Sequence, residues 1–379
     1  MIQSTSTIGI VSKARLTELS VEALCALGLS RADATDAATI LVLADLFGLR
    51  THGTSRIESY GSRLRIGGIN PRPSITSEQA GPALYRLDGD NGVGPLVGFR
   101  ALELAMKAAR EQGIACVFVR GSNHFGPVSP YSYLAATQGF ASIIGSNATT
   151  TIAPWGGTDA RLGNSPVGFG VPNPGGRPFI LDMAISVAAR AKIRNALKRG
   201  EAIPGDWATD AQGKPTTDPK AALDGFLLPI GGHKGYGLAL VVDLLAGLLS
   251  GAAYLTHVKS WENEPEQPQN LGHFYILIDV AMLGSGAWLA ARMADYAAIL
   301  HGSAPADPNA PVIVPGEIEL DRLDRQMTDG IDIGATQLAM LGRPRARRAD
   351  ALIRALGGAP ARRQATDPAA QRGMRSGST

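Results

Sequence analysis

The sequence contains few of the residues that build disulfide frameworks or metal sites. Of its 379 residues only two are cysteines, Cys25 and Cys116, and both lie inside apolar runs without CxxC or CxxH spacing. We therefore expect neither a disulfide nor a zinc site, and we predict that the protein binds no metal. Reduced cysteines are typical of the cytoplasm, which is the location we expect.

The sequence also lacks a strong excess of one charge and an apolar run long enough to cross a bilayer. Its formal net charge is +3 and 18% of its residues are charged, which does not favour nucleic acid as a partner. The most apolar segment, Leu238–Leu249, contains Asp243 and is shorter than the roughly 20 residues that a membrane helix needs. The first residues have neither the basic start nor the apolar core of a secretory signal. We expect a protein that does not enter a membrane.

The two common phosphate-binding glycine motifs are absent. A glycine run from Gly92 to Gly98 follows a strand-like stretch and opens a helix, as a dinucleotide fingerprint would, but its spacing does not fit. No acidic residue ends a second strand about twenty positions further on, where such a fold places its ribose contact. We interpret the run as a structural turn, and no GxxxxGKS or GxxxxGKT motif occurs.

Helical and strand-like segments alternate through most of the chain. Helical spacing of apolar residues predicts helices over Leu16–Ala26, from an N-cap at Ser30 to Phe47, over Arg56–Leu64, up to Gly113, over Tyr131–Gln138, over Ser186–Lys198 and over Trp288–Leu300. Buried strands are predicted at Ile114–Val119, Ala141–Gly145, Pro178–Met183 and His273–Val280. This alternation is typical of an α/β fold, in which ligands bind at the carboxyl ends of the strands. Residues 343–379 are rich in Arg, Ala, Pro and Gly, and we predict a disordered basic tail there.

Two histidines lie where a fold of this kind presents chemistry. His52 stands in "RTHG", between hydroxyls and arginines at the end of an apolar helix, where a cation also favours the negative end of the helix dipole. His124 stands in "GSNHFG", directly after a predicted strand, where an imidazole can exchange protons near neutral pH. The alternative for His124 is a turn in which the ring caps a backbone carbonyl.

A carboxylate and a lysine occupy comparable positions further along. Asp182 ends the apolar run "PFILD", and a carboxylate there needs a cation or a hydrogen-bond donor, or it caps the helix predicted from Ser186. Lys234 lies in "GGHKGYG" before a helix, a combination that suits phosphate. Tight backbone packing explains these glycines equally well, but it does not explain the lysine.

Eight motifs occur together and in order, and their set resembles one family. They are "RTHG", "GSNHFG", "APWGG", "LGNSPVGFGVP", "LDMAIS", "IPGDWATDAQGKPTTDP", "LLPIGGHKGYGLAL" and "VPGEIE". The sequence is similar to the malate/L-lactate/ureidoglycolate dehydrogenase family, which also includes sulfolactate dehydrogenases and reductases of cyclic imino acids such as piperideine-2-carboxylate. The resemblance implies an oxidoreductase that uses NAD or NADP and moves a hydride to or from the carbon next to a carboxylate.

The resemblance also implies an architecture. It is an α/β fold that binds NAD(P) without a Rossmann fold, with a central sheet lobe and a mixed helical and sheet lobe. Residues 121–225 would form the cofactor lobe, while residues 1–120 and 226–342 would combine into the other lobe. The active site would lie near a homodimer interface.

Carried onto matching positions, the resemblance assigns roles to several residues. His52 corresponds to the proton donor, Thr51 to the hydroxyl beside it and Asp182 to the carboxylate that completes their relay. Arg56 corresponds to the arginine that holds the substrate carboxylate, a task that suits a bidentate guanidinium. His124 corresponds to a histidine assigned elsewhere as the catalytic base or as a substrate contact. The cofactor contacts correspond to His124, Phe125, Gly126, Ser146, Asn147, Asp182, Met183, Ala184 and Lys234.

The sequence leaves three questions open. The substrate is either a 2-hydroxy or 2-oxo acid, or alternatively a cyclic 2-imino acid; the choice between NAD and NADP is equally open. A non-catalytic member of the family is a further alternative, although His52, His124, Asp182 and Lys234 are all present. Two departures lie near the site, since Thr51 stands where many members have serine and Ile185 stands where threonine is common.

Overall fold

The computed structural model describes residues 8–343. The tail predicted over 343–379 therefore lies outside the described residues, apart from Arg343 itself. Within the described range, every helix is too short or too polar to cross a membrane.

Helices and strands alternate as the α/β prediction requires. The α-helices are α1 Lys13–Ala26, α2 Arg31–Leu46, α3 Arg56–Arg65, α4 Gly94–Gln112, α5 Ser129–Thr137, α6 Arg190–Arg199, α7 Pro219–Asp224, α8 His233–Asp243, α9 Gly286–His301 and α10 Glu317–Asp329. The strands are β1 Ile8–Val11, β2 Thr76–Gly81, β3 Leu84–Asp88, β4 Ile114–Ser122, β5 Phe140–Ser146, β6 Thr150–Ile152, β7 Leu162–Gly163, β8 Val167–Val171, β9 Phe179–Met183, β10 Leu271–Asp279 and β11 Ile331–Gly334. Helix α8 continues into a π-helical turn, Leu244–Leu248.

The first two helices follow directly from their sequence. The Ser12 hydroxyl caps α1, and the Ser30 hydroxyl accepts the Asp33 N–H at the start of α2, so the predicted N-cap at Ser30 is confirmed. Helix α2 is apolar around most of its circumference because it is buried among α1, α4, α5 and α10. The "RTHG" segment follows shortly after its last turn.

A seven-stranded mixed sheet has the order β2-β3-β4-β10-β5-β8-β9. Strand β10 runs antiparallel to both of its neighbours, so β4 and β5 run parallel to each other. Strands β8 and β9 add two antiparallel pairings, which point β9 the same way as β5. The carboxyl ends of β4, β5 and β9 therefore lie at the same end of the sheet. His124, Ser146 and Asp182 stand at that end, although most pairings in the sheet are antiparallel.

The glycine run before α4 packs against the "GSNHFG" loop, as the structural-turn interpretation expects. A Cβ atom on Gly94 would lie 2.2 Å from the carbonyl oxygen of His124, and one on Gly98 would lie 2.7 Å from the hydroxyl of Tyr131. Both distances are shorter than Cβ contacts in real proteins, so a side chain at either position would force a neighbouring group to move. The run sets how closely α4 approaches the loop that holds His124.

One predicted helix starts later than expected. The helix predicted from Ser186 begins at Arg190, because Ser186 forms an isolated bridge with Pro229 and the Val187 N–H donates to Leu228. The helix ends at Gly200, which has φ of +68°. The interpretation of Asp182 as a cap for a helix at Ser186 is therefore wrong.

The sheet is continuous across the expected boundary between lobes. Strand β10, from the C-terminal half, lies between β4, which runs through residue 121, and β5, which follows it in the chain. Three separate apolar clusters nevertheless occur within residues 8–343, and one of them combines α1 and α2 with β11 near the C-terminal end of that range. The pairing of β1 with β11 joins the two ends of the described chain.

Candidate active site

A buried carboxylate builds the turn that holds His52. Asp45, in the last turn of α2, accepts hydrogen bonds from the Thr54 N–H at 2.9 Å and from the Thr54 hydroxyl at 2.6 Å. A Cβ atom on Gly53 would lie 2.1 Å from Asp45 Oδ1, so only glycine fits between the carboxylate and the chain. Burial raises the pKa of Asp45 to about 6, against the opposing hydrogen bonds from Thr54.

His52 is oriented by its neighbour in the sequence. The hydroxyl of Thr51 lies 2.8 Å from Nδ1 of His52, so the predicted contact between these two residues is present. Burial, followed by the positive charge of Arg56, lowers the pKa of His52 to about 4. The imidazole is therefore neutral at physiological pH in the free protein.

Arg56 is a cation that lacks an acidic partner within the described chain. It begins α3, its Nε atom is buried without a hydrogen-bond partner there, and its charge acts on His52, His124 and Tyr60. Arg50, six residues earlier, instead pairs with Asp332 at 3.0 Å. A partly buried guanidinium beside two neutral imidazoles provides a site for an anion.

The "GSNHFG" loop places His124 beside His52. The two imidazole centroids lie 5.6 Å apart, and Nδ1 of His124 lies 2.9 Å from the hydroxyl of Tyr60. The amide of Asn123 holds the loop by donating to Asn91 Oδ1 and to the Gly92 carbonyl, both at 2.9 Å. Burial, and then the charges of Arg56 and His52, lower the pKa of His124 well below its usual range.

Two neighbours that were predicted as cofactor contacts pack inside the loop instead. Phe125 is 1% exposed and its ring is stacked between those of His273 and Tyr131. Gly126 has φ of +88°, and it lies against the carbonyl of His52 and the side chain of Ile40. Both residues connect the His124 loop to the protein interior.

Sequence reasoning missed three aromatic or imidazole side chains of this region. The Trp261 ring lies 6.2 Å from that of His124 and 5.8 Å from that of Tyr60, in both cases edge to face. The guanidinium of Arg63 lies 4.6 Å from the indole centroid of Trp261 and donates to the carbonyls of Trp261 and Gln267. The spacing of Arg56 and Tyr60, one helical turn apart, was the signal that could have identified Tyr60.

His273 is the third residue that was missed. It is fully buried at the start of β10, with Nδ1 at 2.9 Å from the Ser146 hydroxyl and Nε2 at 2.7 Å from the Ser122 hydroxyl. These bonds tie together the ends of β5 and β4, and burial lowers the pKa of His273 to about 3. A lone histidine in an apolar strand gave no sign of this role.

Asp182 lies at the expected end of the sheet but does not join the predicted relay. Its carboxylate accepts the Ser129 N–H at 2.8 Å and so caps α5, and no contact within residues 8–343 joins it to Thr51 or His52. It lines a cavity of about 210 Å³ together with Leu49 and Glu319, while His52 and His124 do not line that cavity. Burial raises the pKa of Asp182, against hydrogen bonds from the start of α5.

The side chains of Ser146 and Asn147 are already bonded within the chain. The Ser146 hydroxyl bonds to His273, and the Asn147 amide donates to the Ala253 carbonyl at 2.6 Å while its oxygen accepts the Gly272 N–H. Both residues are at most 3% exposed. Met183 and Ala184, which follow Asp182 at the end of β9, are partly exposed and remain accessible to a ligand.

Lys234 belongs to a separate group of residues at the start of α8. Its side chain is exposed in the first turn, the N-cap is Gly232, and neither a capping side chain nor an acidic residue occupies that turn. Trp155, which is 59% exposed, packs its ring against His233 at 5.8 Å. A helix N-terminus with a lysine and an open indole face suits a phosphate attached to a flat group.

Comparisons with known proteins identify a family and several relatives of this chain. The model of the malate/L-lactate dehydrogenase family matches residues 11–342. A malate dehydrogenase of Pyrococcus abyssi is 39% identical over 278 residues, which cover 71% of this chain and 76% of that protein. A delta(1)-pyrroline-2-carboxylate reductase of Ancylobacter novellus is 36% identical over 87% of this chain and 96% of that protein. The solved structure of sulfolactate dehydrogenase from Methanocaldococcus jannaschii superposes with a TM-score of 0.82 at 35% identity, covering 90% of this chain and 98% of that one.

Proposed function

Because the chain belongs to the malate/L-lactate dehydrogenase family and is therefore an NAD(P)-dependent oxidoreductase, we propose that its reaction converts a 2-oxo acid and the corresponding 2-hydroxy acid into each other. The observation that carries this proposal is the grouping of Arg56, a cation without an acidic partner in the described chain, with the His52 and His124 imidazoles. An anion held by Arg56 places the carbon next to its carboxylate within reach of these rings.

In the direction of reduction, His52 gives its proton to the substrate oxygen. The Thr51 hydroxyl holds the His52 ring through Nδ1 and can either donate or accept as the ring changes its protonation. Arg56 binds the substrate carboxylate. The negative charge of that carboxylate then offsets the positive charge of Arg56, which is one cause of the lowered pKa of His52. Substrate binding therefore removes one of the two causes that lower the pKa of His52 and favours its protonated form.

The residues of the α8 start fit the cofactor that the family uses. Lys234 and the uncapped N-terminus of α8 would hold its phosphates, and the exposed face of Trp155 would lie against a ring. Met183 and Ala184, at the end of β9, are accessible as further contacts. When bound, the nicotinamide supplies or accepts the hydride. The packed glycine run before α4 supports a binding mode outside the Rossmann pattern.

A cyclic 2-imino acid is the second candidate substrate, and an aromatic side chain favours it. The partly exposed Trp261 places its ring 6.2 Å from that of His124, which suits a flat or apolar group better than a second acid group. Arg63 is only 1% exposed and donates to backbone carbonyls, so it is not available to bind a second carboxylate. With an imino acid, His52 would give its proton to nitrogen.

We further propose that the protein is a homodimer. Helix α9 is rich in apolar residues, yet none of its side chains is buried; Tyr296 is 57% exposed and Ile299 is 67% exposed. The face of α8 and its π-helical turn adds Val241, Leu244 and Leu248 as exposed apolar residues. Apolar surface of this extent commonly marks a protein interface.

A substrate panel tests the proposal. The purified protein is mixed with NADH or NADPH and with 2-oxo acids that carry an apolar or an acidic side group, and with five- and six-membered cyclic 2-imino acids, while nicotinamide absorbance is followed. We expect turnover with at least one of these acids and none with its amide, which lacks the charge that Arg56 binds. Absence of turnover with every member of the panel would contradict the proposal. A preference for acids with a second negative group would contradict only the proposal that the ring of Trp261 favours a flat or apolar substrate.

A further inference from the structure

The hydrogen bond between Tyr60 and His124 has no part in the proton transfer described above. The Tyr60 hydroxyl lies 2.9 Å from Nδ1 of His124 and the tyrosine is fully buried. The residues on either side of His124 are held as well, since Asn123 bonds to the turn before α4 and Phe125 stacks on His273 at 4.2 Å. The ring itself contacts those of His52 and Trp261, and its hydrogen bond to Tyr60 is made through Nδ1.

The direction of this hydrogen bond follows from the chemistry of the two groups. Burial raises the pKa of Tyr60, so the phenol keeps its proton. Within residues 8–343 the phenol oxygen bonds only to His124, so its proton has one acceptor, Nδ1. A nitrogen that accepts a hydrogen bond carries no proton. The proton of neutral His124 is therefore on Nε2.

Burial, and then the positive charge of Arg56, keep His124 neutral. Arg56, His52 and His273 all lie close enough for a positive charge on any of them to lower the pKa of His124. A protonated His124 would stand beside Arg56 and 5.6 Å from the ring of His52. The ring also interacts with the backbone carbonyl of His124 itself, which opposes the lowering of its pKa, but no hydrogen bond in the described chain joins Nε2, so an N–H there is available to a ligand.

We propose that Tyr60 is a positioning residue that fixes His124 as a neutral Nε2–H donor to the substrate, so that His52 alone exchanges protons. The two histidines differ in their partners. Thr51 is an exposed hydroxyl that can rotate and can support either protonation state of His52, whereas the buried phenol of Tyr60 supports one form of His124. This role rests on the proposed function, because a donor at Nε2 contributes to catalysis only if a substrate oxygen or nitrogen lies there.

Nuclear magnetic resonance of the imidazoles tests the assignment without any turnover. The full chain is labelled with 15N-histidine, and long-range 1H–15N correlations identify which ring nitrogen of each histidine carries the proton between about pH 5 and pH 9. The signals of His124 are those lost in His124→Gln. We expect the Nε2–H form throughout this range in the unsubstituted protein. A protonated Nδ1, or a His124 that titrates within the range, would overturn the proposal.

Two tyrosine variants separate the hydrogen bond from packing. Tyr60→Phe should move the His124 signals toward a mixture of the two tautomers. Tyr254→Phe should leave the signals of its neighbour His257 unchanged, because the two side chains share a ring contact, with centroids 4.9 Å apart, and the hydrogen bond between the residues joins their backbones. Unchanged His124 signals in Tyr60→Phe would overturn the proposal. If Tyr60→Phe does not fold, the tautomer in the unsubstituted protein decides the question.

Kinetics then distinguish this inference from the proposed function. With an active substrate, Tyr60→Phe should lower kcat/KM by about tenfold, the value of one hydrogen bond, and leave the pH limb of His52 in place. Loss of that limb in Tyr60→Phe or His124→Gln would make His124 the proton-exchanging group and would overturn the inference. If no substrate is turned over, the proposed function fails, while the tautomer measurement still decides the role of Tyr60.

Discussion

Arg56 and Arg50 stand six residues apart and differ in what they pair with. Arg50 forms an exposed ion pair with Asp332. Arg56 has no acidic partner in the described chain, and its charge lowers the pKa of both His52 and His124. Arg56→Gln should lower kcat/KM by about tenfold to a hundredfold, mainly through KM, since a hydrogen bond to a charged group contributes roughly 1.5–3 kcal/mol. Arg50→Gln is the matched control and should change kcat/KM little. Equal losses of kcat/KM in the two variants would contradict the proposal that Arg56 binds the substrate.

The environment of His52 sets the pH dependence in the direction of oxidation. That direction requires a neutral imidazole, and burial together with Arg56 lowers the pKa of His52 to about 4. kcat/KM should therefore stay level as the pH falls from neutral and should decline as the pH approaches about 4, where the imidazole takes up a proton. In Arg56→Gln one cause of the lowered pKa is gone, so the decline should begin at higher pH. A decline that moves to lower pH would contradict this account.

The site was partly visible in the sequence. Thr51, His52, Arg56 and His124 were selected as candidates, and the structure brings them together. Trp261 and His273 were missed because long-range packing places them; Trp261 comes from a loop about two hundred residues after α3 and is held by Arg63. Tyr60 was missed although it lies one helical turn after Arg56. Asp182 was assigned to a relay with His52, but the end of β9 directs it to the N–H groups of α5.

The turn between α2 and α3 is a single packed unit. Asp45 bonds to Thr54, Gln337 donates to the Thr54 hydroxyl, and Gly53 fills the space beside the carboxylate. Gly53→Ala should lower the free energy of unfolding by about 1–3 kcal/mol and should reduce kcat, because its Cβ forces the His52 segment away from Asp45. Thermal melts and kinetics of Gly53→Ala and Gly334→Ala provide the comparison. Gly334 has open space around a Cβ, so its variant should match the unsubstituted protein.

Secondary structure was easiest to predict where caps and apolar periodicity agreed. Helices α1, α2 and α3 and strand β4 were expected nearly at their observed bounds, as was the end of α4 at Gly113. Strand β2 was missed because its residues, "TSEQAG", are polar and exposed at the edge of the sheet and carry no alternating pattern. The start of α6 was misplaced because Ser186 is held by a bridge to a distant segment, which no local pattern reveals.

The sheet explains how residues far apart in the chain reach one place. Strand β10 enters between β4 and β5 and brings His273 between Ser122 and Ser146. The carboxyl ends of β4 and β5 are thereby fixed side by side, so the His124 loop has little freedom to move. That insertion of a late strand was not predictable, because strand order depends on contacts between distant segments.

The exposed apolar helix α9 gives the homodimer proposal a direct test. Ile299→Glu places a charge on the α9 face and should convert the protein from twice the mass of one chain to a single chain. Ile10→Glu is the matched control, since Ile10 and Ile299 are both 67% exposed. Light scattering after gel filtration measures both masses. A single-chain mass for the unsubstituted protein, or an unchanged dimer in Ile299→Glu, would contradict the proposed interface.

The central claim is that His52 moves the proton while Arg56 holds the carboxylate. The most direct measurement compares kcat/KM for the best acid of the panel in His52→Ala with that in His257→Ala, an exposed histidine of the same chain. The account predicts a loss of about a hundredfold or more in His52→Ala, the usual contribution of a general acid, with normal thermal melting and near-normal rates in His257→Ala. A folded His52→Ala protein that keeps the kcat/KM of the unsubstituted protein would contradict it.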